Sequence, residues 1–188
     1  MRVILDVMTN TTYHPSPLVP VHRQRSDDGW TLVFTRDLPH APEAVWRALT
    51  SPDQLRQWSP YTAEHELTAE GAASLSMLDG GGGEPAASMD GTVRRYDRPR
   101  LLEHAFGDDA LRWELTPIED GTRLVLRHTF AGRDGDWASA LAAGWHLCLD
   151  VADALLAGAP FGPIVGDQAR EYGWDELNER YAKVLGAA

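Results

Sequence analysis

Apolar and polar side chains alternate along several stretches of the chain, which is typical of half-buried β-strands. The first stretch is centred on Trp30, Leu32 and Phe34. Further alternating stretches predict strands at residues 61–69, 73–78, 87–96, 101–106, 110–118 and 122–131. Because only short connections separate these stretches, we expect them to pair in order as an antiparallel meander.

Two short helices are predicted between the first strand and the meander. Pro42 and Pro52 mark where they begin, since proline is well tolerated in the first turn of a helix. Ser51 and Gln54 have the spacing of a capping box at the start of the second helix. This second helix is expected to end near Trp58.

A long helix is predicted over residues 136–157, where apolar side chains recur at steps of three and four residues. Gly158 and Pro160 follow it, as is typical of the end of a helix. At about 1.5 Å per residue, this helix is long enough to cross a whole sheet. A last, shorter helix is predicted from Trp174 to Leu185.

The beginning of the chain lacks these patterns. Residues 9–29 contain three prolines and little periodicity. We interpret residues 1–29 as a leader that lies on the surface or is mobile, and residues 30–188 as one domain. A length of 188 residues fits this division, since one domain usually has about 150 residues.

Composition narrows the class of partner. The formal net charge of −11 repels nucleic acid and anionic membranes, so neither is expected as a partner. No uninterrupted apolar stretch approaches the roughly 20 residues that span a bilayer. Cys148 is the single cysteine, which excludes an intramolecular disulfide and predicts a cytoplasmic location.

Neither a metal motif nor a nucleophile motif is present in the sequence. The closest two of the 7 histidines, His14 and His22, are separated by more than any helical or turn spacing for metal ligands. We therefore expect no metal and no cofactor, although an iron site built from distant strands stays open as a minor alternative. Cys148 lies on the apolar face of the long helix, which favours a role in core packing.

Several histidines are candidates for a role in a pocket. His128 and His104 each alternate in phase with apolar neighbours on a predicted strand. Either histidine can be a core residue with satisfied nitrogens or a polar group that orients a ligand. His146 and Asp150 are four residues apart on the long helix; we favour a solvated surface pair over an acid–base couple.

Four segments resemble the START-like helix-grip superfamily, and within it the branch named after the activator of heat-shock protein 90 ATPase. They are Pro42 to Pro52 with Trp58, Gly91 to Val93 with Arg98 to Leu102, Gly121 to Leu124 with His128, and Gly144-Trp145 with Cys148 to Asp150. The resemblance covers about residues 30–158. It implies an α+β helix-grip fold, in which a curved antiparallel meander sheet wraps around a long C-terminal helix and encloses a cavity.

Two departures from this branch concern function and local structure. The eukaryotic activators carry an additional domain that grips the chaperone, and residues 1–29 cannot supply one. The branch's glycine pair before the third strand is reduced to Gly71.

A pocket in such a fold would be lined by aromatic side chains. We expect a binding module for a small hydrophobic or aromatic ligand, without a complete catalytic constellation of its own. The candidate ligand-binding residues are Trp58, Met89, His104, Trp113, His128, Phe130 and Trp145. The run from Gly80 to Gly83 is interpreted as a flexible hairpin tip, or else as a lid over the cavity.

Two other functions follow from the same resemblance. One is an enzyme similar to polyketide cyclases or dehydratases, in which a pocket histidine and a carboxylate move protons. Such an enzyme should place His128 or His104 within hydrogen-bond reach of a carboxylate inside the cavity. The other is a regulator of a chaperone ATPase, which follows from the family name alone. Whether the protein forms a homodimer is left open.

Overall fold

The computed structural model describes residues 13–26, 29–78, 88–130 and 137–186. The strands are β1 (Val21–Ser26), β2 (Gly29–Leu38), β3 (Tyr61–Ala63), β4 (Ser74–Met77), β5 (Ser88–Asp90), β6 (Val93–Asp97), β7 (Leu101–Phe106), β8 (Asp109–Ile118) and β9 (Gly121–Phe130). The helices are α1 (Pro42–Thr50), α2 (Pro52–Trp58), α3 (Trp137–Leu156) and α4 (Trp174–Gly186), with a 3-10 helix at Gly166–Tyr172 before α4.

The strands form two antiparallel sheets. The larger sheet has 6 strands in the order β1-β2-β9-β8-β7-β6, and the smaller has the order β3-β4-β5. Strands β6 to β9 are therefore a meander, as predicted, and the α+β helix-grip class is confirmed. The prediction that six consecutive strands share one meander is wrong, because the first strands of that series form the separate small sheet.

The separation falls inside the predicted strand 87–96. At Gly91 the chain leaves β5, and a Cβ built there would lie 2.5 Å from Cγ of Leu75. The chain thus passes so close to β4 that only glycine fits, and β6 starts in the other sheet. The predicted strand 61–69 is also shortened, since β3 ends at Ala63.

Helix α3 is one continuous helix through Gly144, as predicted; Asp136 lies outside the described residues. Trp145 is only 4% exposed and its ring contacts Trp113 on β8 and His128 on β9. The helix therefore lies across this face of the sheet. By length and composition it could cross a membrane, but 61% of that apolar window is buried inside the protein, as befits the central helix of a core.

The two short helices begin at Pro42 and Pro52, as predicted. The capping box does not form, because the Ser51 side chain makes no capping hydrogen bond. Ser51 joins the two helices directly: its N–H binds the carbonyl of Arg47, and its carbonyl accepts the N–H of Gln54.

The packed part of the chain begins earlier than Trp30. Val21–Ser26 is the edge strand of the large sheet and pairs with β2 in antiparallel register from Val21–Phe34 to Ser26–Gly29. Residues 13–20 also pack, with Tyr13, Leu18 and Val19 against the core. The expectation that residues 1–29 form a separate leader is therefore wrong for residues 13–26. Residues 1–12 lie outside the described residues.

Candidate functional site

A cavity of about 350 Å³ lies between the large sheet, helix α3 and the segment that joins α3 to α4. Phe106 and His128 contribute from the sheet, and Ile164 and Trp174 from the C-terminal segment. Met77 borders it from the small sheet. No charged side chain lines the cavity among the described residues, so it suits an uncharged, largely apolar occupant.

Helix α3 presents small side chains to this cavity. Ala140, Gly144 and Cys148 all line it, and their spacing of four residues places them on one helix face. Burial raises the pKa of the Cys148 thiol to about 12, so the thiol is protonated at neutral pH. Cys148 is thus a small apolar wall residue rather than a nucleophile.

His128 lines the cavity, but both of its ring nitrogens already have partners. The indole N–H of Trp145 donates to Nδ1 at 3.0 Å, and Nε2 lies 3.0 Å from Oδ2 of Asp109. These contacts define a neutral ring that carries its proton on Nε2. A ligand can therefore hydrogen-bond to His128 only if it displaces Trp145 or Asp109.

The contact between His128 and Asp109 bears on the enzyme hypothesis. A carboxylate does lie within hydrogen-bond reach of a pocket histidine, as that hypothesis requires. The carboxylate is however 4% exposed and is not part of the cavity wall. The other ring nitrogen, Nδ1, accepts from Trp145, so neither nitrogen of His128 is open to a substrate.

His104 has the features of a core histidine. It is fully buried, its Nδ1–H donates to the carbonyl of Ala105 at 2.8 Å, and its Nε2 accepts from the Tyr61 hydroxyl at 3.3 Å. Burial lowers the pKa of His104 to about 4, so the ring is neutral. His104 does not reach the cavity wall.

The other predicted site residues take different places. Trp145 lines the cavity, whereas Trp58, Trp113 and Phe130 are fully buried and are not part of its wall. The Trp113 ring contacts Trp58 and Trp145 edge to face at 6.1 Å and 5.3 Å. Met89 on β5 packs against the core and is not part of the wall.

Sequence analysis did not identify several wall residues. Phe106 shares a strand face with His104 and could have been found by that alternation. Ile164 and Trp174 could not, because residues 158–173 show no periodicity that would place them over the sheet. The run from Gly80 to Gly83, interpreted as a tip or lid, lies outside the described residues.

His146 and Asp150 are not a solvated surface pair, because both side chains are buried. They belong to a polar group on another face of α3, which we call the Asp150 cluster (Tyr13, Ser16, Arg36, His146, Asp150 and Tyr181). Asp150 Oδ1 accepts from the guanidinium of Arg36 at 2.5 Å and from the hydroxyl of Ser16 at 2.7 Å. Its Oδ2 accepts from the Tyr13 hydroxyl at 2.6 Å and the Ser16 N–H at 2.9 Å.

The protonation states in the Asp150 cluster follow from these contacts. Burial tends to raise the pKa of Asp150, but Arg36 and the hydrogen bonds from Ser16 and Tyr13 outweigh it and lower that pKa. Burial lowers the pKa of His146, which is therefore neutral. The Tyr181 hydroxyl lies 2.8 Å from its Nδ1, and Ser16 Oγ lies 3.1 Å from its Nε2. The cluster joins the N-terminal segment to α3 and leaves no open acceptor on the Asp150 carboxylate.

A metal centre would need three or more ligands in one place. Among the residues that the structure describes, no group of three His, Cys, Asp or Glu side chains could hold a metal ion.

A continuous antiparallel sheet gripping a long helix above an apolar cavity defines a START-like domain. The family described as Activator of Hsp90 ATPase homolog 1-like protein matches residues 39–157, and the chain belongs to this family. The match begins before α1 and ends just after α3, so it includes the cavity face of the sheet and of the helix. A comparison with curated proteins gives no match.

Several solved structures share this fold. A protein from Rhodobacter sphaeroides is 26% identical, with a TM-score of 0.59, over 74% of this chain and 99% of that chain. CalU16 from Micromonospora echinospora is 18% identical, with a TM-score of 0.63, over 89% of this chain and 96% of its own. A conserved protein of unknown function from Enterococcus faecalis is 13% identical, with a TM-score of 0.66, over 89% of this chain and 91% of its own.

Proposed function

We propose that this protein binds a small, uncharged, apolar or aromatic molecule in the cavity between helix α3 and the large sheet. The observation that carries the proposal is the cavity itself, which is partly open to solvent and offers about 350 Å³ of space with a largely apolar wall. Cavities that bind small ligands start at roughly 300 Å³ and are lined mainly by apolar and aromatic groups. Membership of the family supports a ligand-binding or cyclase-like module in general.

The wall also limits the charge of the ligand. An ion transferred into an apolar cavity loses its hydration and needs a partner of opposite charge. The described wall residues offer no such partner, and the net charge of −11 disfavours the approach of anions. A neutral flat molecule fits both conditions.

Titration with N-phenyl-1-naphthylamine, a neutral probe that fluoresces in apolar sites, tests the proposal. We expect saturable binding by the wild type and weaker binding by Ala140→Leu, because the larger side chain fills part of the cavity. Ala154→Leu is the matched control, since Ala154 is also half-buried on α3 but does not line the cavity. Absence of saturable binding, or equal loss in both variants, would contradict the proposal.

An enzyme similar to polyketide cyclases is the second candidate, and the contact of Asp109 with His128 favours it. In that mechanism Asp109 orients the imidazole, and Nδ1 takes a proton from the substrate after the Trp145 indole has moved away. Exchange of the α-protons of 2-tetralone in D₂O, followed by NMR, distinguishes the two candidates. Catalysed exchange that is lost in His128→Gln supports the enzyme, whereas binding without exchange supports the binding module.

We further propose a cytoplasmic location, as expected for a chain with a single, free cysteine and no disulfide.

A further inference from the structure

Gly144 stands in the interior of α3, a place where glycine destabilises a helix relative to alanine. Its backbone does not require glycine, since its φ is not among the positive glycine values. Packing does not require it either: a Cβ at this position would meet a single neighbouring atom, Nε1 of Trp174, at 4.0 Å. At Gly91, by contrast, a Cβ would lie 2.5 Å from Cγ of Leu75, so packing does require glycine there. What glycine at position 144 provides is open space on the cavity side of the helix.

Trp174 borders the same space. It lines the cavity at the start of α4, and its indole N–H has no hydrogen-bond partner in the part of the chain that the structure describes. The other indole donor in the wall is occupied, since Trp145 donates to His128. An indole nitrogen donates and cannot accept. The N–H of Trp174 is therefore a donor beside an apolar space.

We infer that Gly144 and Trp174 form a subsite that takes a neutral hydrogen-bond acceptor of the ligand, of the carbonyl class. This inference rests on the proposed binding function and adds the polar group by which the cavity selects among flat apolar molecules. A carbonyl oxygen can approach the indole N–H only because no side chain stands at position 144. A carboxylate would not be taken in, because no cation among the described wall residues would pair with it.

A pair of ligands that differ in one group tests the subsite. Fluorene and 9-fluorenone have the same flat tricyclic shape, but fluorenone carries a carbonyl where fluorene has a methylene. Each is titrated as a competitor of N-phenyl-1-naphthylamine. In Trp174→Phe, which keeps the aromatic ring and removes the donor, we expect fluorenone to bind about fivefold more weakly and fluorene to bind as before.

The variant Gly144→Ala tests whether a ligand uses the open space beside position 144. We expect it to weaken both competitors and to raise Tm by about 2–4 °C, because alanine stabilises the helix while its methyl group enters the cavity. Gly186→Ala is the matched control. Gly186 is likewise a helical glycine, a Cβ built there would meet nothing within 4 Å, and the residue is not part of the cavity wall. This control should leave both affinities unchanged.

The outcomes separate the subsite from the function on which it rests. If the wild type does not bind N-phenyl-1-naphthylamine, the proposed function fails and the subsite with it. If the probe binds but neither competitor displaces it, the subsite alone is overturned. The same conclusion follows if Trp174→Phe changes both competitors equally, or if Gly144→Ala changes neither affinity.

Discussion

Two faces of helix α3 lie in opposite surroundings. One face turns Ala140, Gly144 and Cys148 toward an apolar cavity. The other carries Asp150, whose two carboxylate oxygens accept four hydrogen bonds from Tyr13, Ser16 and Arg36. The buried charge is fully satisfied within the protein and leaves nothing for a ligand, whereas the cavity face keeps open space and a donor at Trp174. Open hydrogen-bonding capacity, rather than the presence of titratable groups, distinguishes the candidate site here.

The polar face contributes to stability in a way that the cavity face does not. A buried ion pair gives little net stabilisation compared with apolar packing, but removing one partner leaves a poorly compensated charge. Arg36 and Asp150 are such a pair, with side chains only 8% and 6% exposed, and Asp153 is a more distant second partner of Arg36 at 3.6 Å. Asp150 also holds Tyr13 and Ser16 against the core.

Asp150→Asn is expected to give the largest loss of stability. It removes the nearer of the two carboxylates that pair with Arg36 and weakens the bonds from Tyr13 and Ser16, so the free energy of unfolding should fall by about 3 kcal/mol. Urea unfolding measures the change. Asp53→Asn is the control, since Asp53 pairs with Arg56 at the surface with its side chain 94% exposed, and should change stability by less than about 0.5 kcal/mol.

The same variant examines whether the two faces of α3 are independent. Affinity of the folded protein for N-phenyl-1-naphthylamine should be unchanged in Asp150→Asn, because separate sites act additively. A marked loss of affinity would show that the Asp150 cluster shapes the cavity, and the distinction between the two faces would not hold.

The second prediction concerns the stability of the protein in acid, and it involves the fully buried His104. Burial lowers the pKa of His104 from 6.5 to about 4, so the unfolded chain binds a proton there more readily than the folded protein does. The stabilisation is complete above pH 6.5 and is lost as the pH falls toward 4. Between pH 7 and pH 5 this group should account for a loss on the order of 2 kcal/mol.

His104→Gln isolates that contribution, because glutamine does not titrate and can still donate and accept. We expect the drop in unfolding free energy between pH 7 and pH 5 to be smaller than in wild type by that amount. His65→Gln is the control, since the side chain of His65 is 86% exposed. A drop in His104→Gln equal to that of wild type would mean that His104 does not titrate in this range. The acid sensitivity would then come from the Asp150 cluster, where the pKa values of Asp150 and His146 are also lowered.

The sequence was informative wherever a local pattern decides the structure. The steps of three and four residues predicted α3, and the alternation around Trp113 and His128 predicted one face of β8 and β9. Pro42 and Pro52 marked the beginnings of α1 and α2. The division of the strands into two sheets was not predicted, because it depends on the close approach of Gly91 to Leu75, which are distant in the sequence.

The polar contacts were the least predictable part. The spacing of His146 and Asp150 is the same for a surface pair and for a buried one. What buries them is the N-terminal segment, and Tyr13 and Asp150 are 137 residues apart. The partners of His128, Asp109 and Trp145, likewise come from other elements. Alternation could place His128 on the inner face but could not show that both of its nitrogens are occupied.

The smallest expected effect on stability concerns two neighbouring tryptophans that differ in whether the indole N–H is hydrogen-bonded. Trp58 and Trp113 are both fully buried, and their rings are in edge contact. The N–H of Trp58 donates to the carbonyl of Ala48 at 2.9 Å, near the end of α1, where the helical partner would be Pro52, which has no N–H. The buried N–H of Trp113 makes no hydrogen bond of good geometry in the described part of the chain, and has only a weak contact with the Tyr61 hydroxyl.

Phenylalanine at either position removes a similar volume, but only Trp58→Phe also leaves a helix carbonyl without a donor. We therefore expect Trp58→Phe to lower the free energy of unfolding by about 1 kcal/mol more than Trp113→Phe does. Urea unfolding of both variants measures the difference. An equal loss would show that packing alone decides the stability contributed by these two rings. A larger loss in Trp113→Phe would mean that its N–H has a strong partner in solution, and the contrast between open and satisfied groups would then fail for this pair.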